Sequence, residues 1–180
     1  LAIKAARASS RLVMIGVRPS FACTGYGYIE AGFELRGLPG VFSVSSFKEK
    51  PRRSLAERYV RAGNYYWNGG IFTWQAGVFL DSLRRMNPAY FSLFNLKKVR
   101  HSYSKLPSIS IDHALLENAD NLALVKAVMD WCDMGSWDMF LEKASVNPAE
   151  NFGRGAVRHA QASQSLFLNF DDRPVVAFGV

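Results

Sequence analysis

Leu12-Val-Met-Ile-Gly-Val17, closed by Pro19, is the stretch whose reading decides the fold. Six residues without a charge, bounded by a proline, fit a strand buried on both faces better than a surface element. Ala2 to Arg11 before it reads as the end of a helix rich in small and basic residues. A helix feeding a fully buried strand belongs to an alternating α/β fold, where such a strand wants parallel neighbours. Too few residues lie upstream to supply them, so the chain reads as entering a domain part-way through.

Downstream, Gly25-Tyr-Gly-Tyr-Ile29 and Val41-Phe-Ser-Val-Ser-Ser-Phe47 predict a β-ribbon around the turn Gly37-Leu-Pro-Gly40, with irregular residues from Ala31 to Arg36. Ser54-Leu-Ala-Glu57 has the spacing of a capping box and predicts a short helix ending at Gly63. Ile71-Phe-Thr-Trp74 is strand-like. Val78, Leu80, Leu83 and Met86 recur at helical spacing, and a second apolar helix is expected from Ala89 to about Val99. Tyr90-Phe-Ser-Leu-Phe94 within it reads as core packing. Ser108 to Asn118 predicts a helix with Ser110 as cap, Leu122 to Met129 a strand, and Ser136 the cap of a helix reaching Lys143. From Asn147 the chain changes to short β-like pieces, ending in Val175-Val-Ala-Phe178. The expected division is therefore 1–146 and 147–180, with both ends reading as cut.

The composition narrows the function classes. With 49% hydrophobic and 13% aromatic residues among 180, the chain can bury a core and is expected to be globular. No run approaches the roughly 20 apolar residues of a membrane span. Cys23 and Cys132 form no metal-type pair, and so few cysteines favour a reducing compartment, so the expected location is cytoplasmic. The net charge of +7 calls for an anionic partner. Its cations are dispersed rather than striped with aromatics, which argues against nucleic acid. Only Lys48, Lys50, Arg52 and Arg53 cluster.

Five segments in order carry a resemblance: Thr24-Gly-Tyr-Gly-Tyr-Ile-Glu30, Phe47-Lys-Glu-Lys-Pro51, Tyr66-Trp-Asn-Gly-Gly-Ile-Phe72, Ser110-Ile-Asp112 and Asp133-Met-Gly-Ser-Trp137. Together they resemble the sugar-1-phosphate nucleotidyltransferases, most closely the mannose-1-phosphate guanylyltransferases. The resemblance implies a partial nucleotide-diphospho-sugar transferase fold, α/β with a Rossmann-like mixed sheet, followed by the start of a β-rich C-terminal region. The family's Gly-rich loop that wraps the triphosphate is absent from this sequence, as is a second metal-holding Asp. Gly69 stands where the family usually has Ser.

The resemblance also implies roles, each of which has a plainer reading. Gly25-Tyr-Gly27 is not a dinucleotide fingerprint, because Glu30 occupies the third glycine's place. Gly27 either relieves a crowded strand or lets the backbone touch sugar hydroxyls. Glu49 and Lys50 are either part of a solvated charge run or, by resemblance, take the sugar hydroxyls and the phosphate respectively. Asn68 can cap a tight turn, meet a sugar hydroxyl, or do both. Asp133 either sits favourably before a helix N-terminus or ligates Mg2+ together with an Asp from elsewhere. Asp112 is expected either to support the site without contacting ligand or simply to start a helix, Trp67 to be core, and His101, His113 and His159 to have no catalytic role.

The implied reaction joins mannose 1-phosphate and GTP to give GDP-mannose and pyrophosphate, with Lys50 and Asp133 as this chain's catalytic contributions. GTP would need a nucleotide-binding half, so the chain alone is expected to be inactive. An exposed sheet edge is expected to give either marginal solubility or self-association, with a homo-oligomer as one form of the latter. Two alternatives are a different hexose 1-phosphate and a catalytically dead binding or regulatory subunit.

Overall fold

The structure, a computed structural model, describes residues 1–93, 102–129, 131–145 and 150–180. It divides into two compact units, Leu1–Met129 and Asp130–Val180. The division falls before the change of composition at Asn147, because the helix opened by Ser136 belongs to the second unit.

In the first unit, helix α1 (Ala2–Ala8) leads into β1 (Leu12–Val17). Strands β2 (Tyr28–Glu34), β3 (Val41–Lys48), β4 (Tyr65–Thr73) and β5 (Leu122–Lys126) complete a mixed sheet. Its order is β1-β4-β2-β3-β5, and it closes because β5 pairs back with β1. That pair is parallel, Leu12 opposite Leu122 and Gly16 opposite Lys126, while the other pairs are antiparallel. The parallel neighbour that β1 needs thus comes from more than a hundred residues downstream in the sequence, and not from upstream.

Alternation along β1 and β5 feeds two cores. Leu12, Met14, Leu122 and Leu124 join Ile29, Leu83, Leu115 and Leu116 in one, while Val13, Ala123 and Val125 meet Ala5 and Ala6 of α1 in the other. Both faces of these strands are covered, which is why their sequences run apolar without a break. Tyr90 and Phe91 pack against the larger cluster, as core.

The hairpin β2–β3 forms with Gly37 and Gly40 at φ +78° and +79°, values an L side chain resists. Of the residues expected to be irregular, Ala31 to Arg36, the first four remain in the strand, where its register shifts fall, and Leu35 and Arg36 lie beyond it. Gly25 and Gly27 precede the strand instead of lying within it. Helix α2 (Arg53–Ala62) ends at left-handed Gly63, but it begins at Arg52 with no side-chain cap. The Ser54–Glu57 capping box does not form. Ser54 lies inside the first turn, and Glu57 pairs with Arg53 Nε at 3.1 Å.

Helices α3 (Ala76–Met86) and α4 (Pro88–Leu93) follow β4. The rest of the helix expected to reach Val99 lies outside the described residues. Helix α5 (Ile111–Ala114) is capped by Ser110 and continues as a 3-10 turn, Leu116–Asn118, tighter than the single helix the spacing predicts.

The second unit holds helix α6 (Trp137–Ala144), whose Met139 N–H donates to Ser136 Oγ at 3.2 Å. Strands β6 (Phe152–Arg154) and β8 (Leu166–Leu168) pair in parallel, as do β7 (Val157–Ala160) and β9 (Val175–Phe178). Asn169, buried, pins the connection: its amide donates to Ala156 O at 3.0 Å and Arg173 O at 2.9 Å. Among the described residues no helix is long and apolar enough to cross a membrane.

Candidate functional site

Four separate elements of the first unit converge near the end of β3. The loop before β2 supplies Gly27, the residues after β3 supply Glu49 and Lys50, β4 supplies Asn68, and α5 supplies Asp112.

The loop carrying Gly27 is held from both ends. Tyr28, fully buried, accepts at its hydroxyl from Cys23 N–H and donates to Cys23 O, each at 3.0 Å. Phe21 and Tyr26 meet Trp67 edge to face at 5.0 and 5.2 Å, and Trp67 is buried as core. Asn68 N–H donates to Gly27 O at 2.8 Å, fixing the two site residues against each other.

Glu49 lies directly against Gly27. A Cβ placed on Gly27 would run into Glu49 Oε2 and come within 2.9 Å of Phe47 Cε2. Glycine here is required by space, since the backbone itself is the surface Glu49 faces. The Glu49 side chain is 10% exposed; its Oε1 pairs with Lys50 Nζ at 3.3 Å, and its buried Oε2 has no hydrogen-bond partner among the described residues. Burial pushes the Glu49 carboxyl above the usual carboxylate range, the Asp112 charge adds to the rise, and Lys50 and His113 only partly oppose it.

Lys50 turns the chain. Its φ is +44°, in the left-handed region, immediately before buried Pro51. Adjacent residues on a regular strand point to opposite faces, and this turn is what lets Glu49 and Lys50 reach each other. The ammonium end remains 64% exposed.

Asn68 does the turn-capping job. Between Gly16 and Met14 of β1 the register of β4 slips from Asn68 to Phe72, a bulge with Gly70 at φ +65°. Asn68 Oδ1 accepts from Gly70 N–H at 3.1 Å, and Asn68 Nδ2 donates to Asp112 Oδ1 at 2.9 Å. Asp112 therefore orients Asn68, and it also stands in the first turn of α5.

Asp133 belongs to the second unit. Its carboxylate is exposed and folds over Gly135, just before the N-cap of α6. Among the described residues no three acidic, His or Cys side chains group as a metal cluster. Asp133 offers a single exposed carboxylate, the oxygen donor that hard cations take.

Sequence reasoning overlooked Glu117. Its carboxylate accepts from Glu49 N–H at 3.0 Å and Lys48 Nζ at 3.0 Å, and meets His113 Nδ1 at 3.1 Å. Burial alone would raise this carboxyl, yet those three partners hold it below the ordinary value. The one available signal was the continuation of Ser110-Ile-Asp112 to an acid one further turn along.

Residues 1–149 match the family described as Nucleotidyl transferase. The mannose-1-phosphate guanylyltransferase of Sinorhizobium fredii (strain NBRC 101917 / NGR234) is 35% identical over 176 residues, 91% of this chain and 34% of the relative. Mannose-1-phosphate guanylyltransferase 2 of Escherichia coli O157:H7 is 35% identical over 144 residues, 71% of this chain and 30% of the relative. The crystal structure of mannose-1-phosphate geranyltransferase from Thermus thermophilus has a TM-score of 0.81 at 30% identity, covering 99% of this chain and 53% of that one. The chain thus spans about a third of the length of these curated relatives. It belongs to the nucleotidyl transferase family.

Proposed function

We propose that this chain supplies the sugar-phosphate site of a mannose-1-phosphate guanylyltransferase, which makes GDP-mannose and pyrophosphate from mannose 1-phosphate and GTP. The observation that carries the reading is Glu49 Oε2, buried against the Gly27 backbone with no hydrogen-bond partner among the described residues. A buried carboxylate oxygen without a donor is costly unless a ligand brings the donors. Sugar hydroxyls are such donors, and the exposed ammonium of Lys50 beside them suits the phosphate.

In this reading Glu49 accepts from hydroxyls, Gly27 gives the ring close access to the backbone, and Asn68 fixes the wall opposite. Lys50 holds the sugar phosphate and offsets charge as its oxygen attacks the α-phosphorus of GTP. Nucleotidyl transfer asks the protein mainly to align phosphates and to neutralise charge. Asp133 is the residue that would hold Mg2+, which when bound supplies Lewis-acid stabilisation of phosphate oxygens. The triphosphate itself needs a Gly-rich cradle that these 180 residues lack, so the chain alone should release no pyrophosphate from GTP and mannose 1-phosphate.

Calorimetric titration with mannose 1-phosphate, with and without Mg2+, tests the proposal. Binding that Glu49→Ala and Lys50→Ala each weaken is the expected result. A folded wild-type chain that binds no mannose 1-phosphate would overturn it. Tighter binding of glucose 1-phosphate would keep the site and change the sugar.

A further inference from the structure

The ladder between β2 and β3 ends at Lys48, opposite Tyr28. The next amide, Glu49 N–H, has no strand to bond with, and Pro51 offers no N–H at all. Between them Lys50 takes φ +44°. A left-handed residue is unusual, and one directly before proline more so, because the proline ring already restricts its predecessor. Conformations of this kind persist only where surrounding contacts over-determine them.

Glu117 is that contact. One of its oxygens accepts both Glu49 N–H and Lys48 Nζ, and the other meets His113 Nδ1, so two elements are tied through one carboxylate that is 18% exposed. Five residues earlier, Asp112 holds Asn68. Residues 112–117 therefore brace two of the candidate site's residues, Asn68 at its side chain and Glu49 at its backbone amide.

We propose that Glu117 is a positioning residue: by bonding the Glu49 amide it fixes the turn that sets the Glu49 carboxylate over Gly27 and the Lys50 ammonium beside it. This rests on the sugar-phosphate reading of the site. Glu117→Gln retains an acceptor for the Glu49 amide, and its NH2 can donate to neutral His113. Glu117→Ala retains neither. Glu117→Asp keeps the charge but is one methylene too short to serve both ends.

Two readouts test the role. Amide hydrogen exchange at Glu49, followed by NMR on the ligand-free chain, reports the bond directly. Calorimetry with mannose 1-phosphate reports its consequence. Expected are protection of the Glu49 amide in wild type, exchange faster by about tenfold or more in Glu117→Ala, and binding weakened by about tenfold or more, as for loss of a bond to a charged group. Glu117→Gln should recover most of both.

An unchanged Glu49 amide in Glu117→Ala overturns the inference, and so does a loosened amide with unchanged affinity. Should Glu117→Ala fail to fold, Glu117→Asp carries the test with the same two outcomes. If wild type protects the amide yet binds neither mannose 1-phosphate nor glucose 1-phosphate, the functional reading falls. The positioning role then falls with it, and Glu117 is a structural brace only.

Discussion

Two carboxylates lie near the end of β3, one bonded to the backbone amide of the other, and the fold treats them oppositely. On the helical side Glu117 collects a backbone amide, an ammonium and an imidazole. On the Gly27 side Glu49 has one exposed lysine on one oxygen and, among the described residues, no hydrogen-bond partner on the other. Both are largely buried, yet the Glu117 carboxyl is held down and the Glu49 carboxyl is pushed up. An acid that serves the structure has its donors built in. An acid left short of donors beside a bare backbone is prepared for donors that arrive with a ligand.

The comparison breaks most readily at Gly27. Its added Cβ in Gly27→Ala would occupy the space next to Glu49 Oε2 and crowd Phe47. Loss of mannose 1-phosphate affinity on the order of a hundredfold is expected, the upper end of what overpacking costs. Wild-type affinity in a folded Gly27→Ala chain would show that no ligand approaches this backbone.

Next in size is a contrast in both affinity and stability. Glu49→Ala should weaken binding by about tenfold or more while leaving Tm unchanged or raised, since it removes a buried orphan. Glu117→Ala should lower Tm, because it strands the Glu49 amide. Equal falls in Tm for the two variants would erase the distinction between them.

Lys50 sharpens the comparison from outside. Its side chain is mostly exposed, so the pair with Glu49 contributes little to the fold. Lys50→Ala should cost about tenfold in affinity for mannose 1-phosphate and leave the much weaker binding of mannose itself unaltered. Because φ is +44° at this position, Lys50→Gly should melt above Lys50→Ala. The reverse order of melting would remove the strained turn from the argument.

Much of this was legible in the sequence, and the gaps have physical causes. The apolar run of β1 announced a strand covered on both faces, but nothing local says that its parallel partner is Leu122–Lys126. Ser110 and Ser136 were readable as caps because a cap bonds within three residues. Ser54 misled because the helix starts at Arg53, where Glu57 finds the guanidinium instead of the N-terminal amide. Gly27, Glu49 and Asn68 were singled out through motif resemblance, since residue types alone do not tell which loops meet. Glu117 was invisible because its main partner is a backbone amide 68 positions away, and a backbone amide leaves no mark in a sequence.

The smallest expected effect is in pH dependence, and it separates the two acids by sign. The Glu49 carboxyl is raised above its ordinary 4.5, first by burial and then by Asp112. A raised acid favours the fold below the unfolded value and loses that contribution as pH climbs through the folded one. Glu49 therefore opposes the fold at neutral pH. Hydroxyl donors stabilise the charged form, so binding lowers this pKa and releases a proton. Affinity should rise with pH through a window above 4.5 and then level off. Glu117 is lowered, so its contribution is present above 4.5 and disappears only as pH falls through its lower folded value. The ligand's phosphate titrates too, but identically for wild type and Glu49→Gln. The difference between their affinity profiles thus isolates Glu49: a rise above 4.5 present only in wild type assigns the ligand's donors to that carboxylate. Parallel profiles would mean that no hydroxyl meets it.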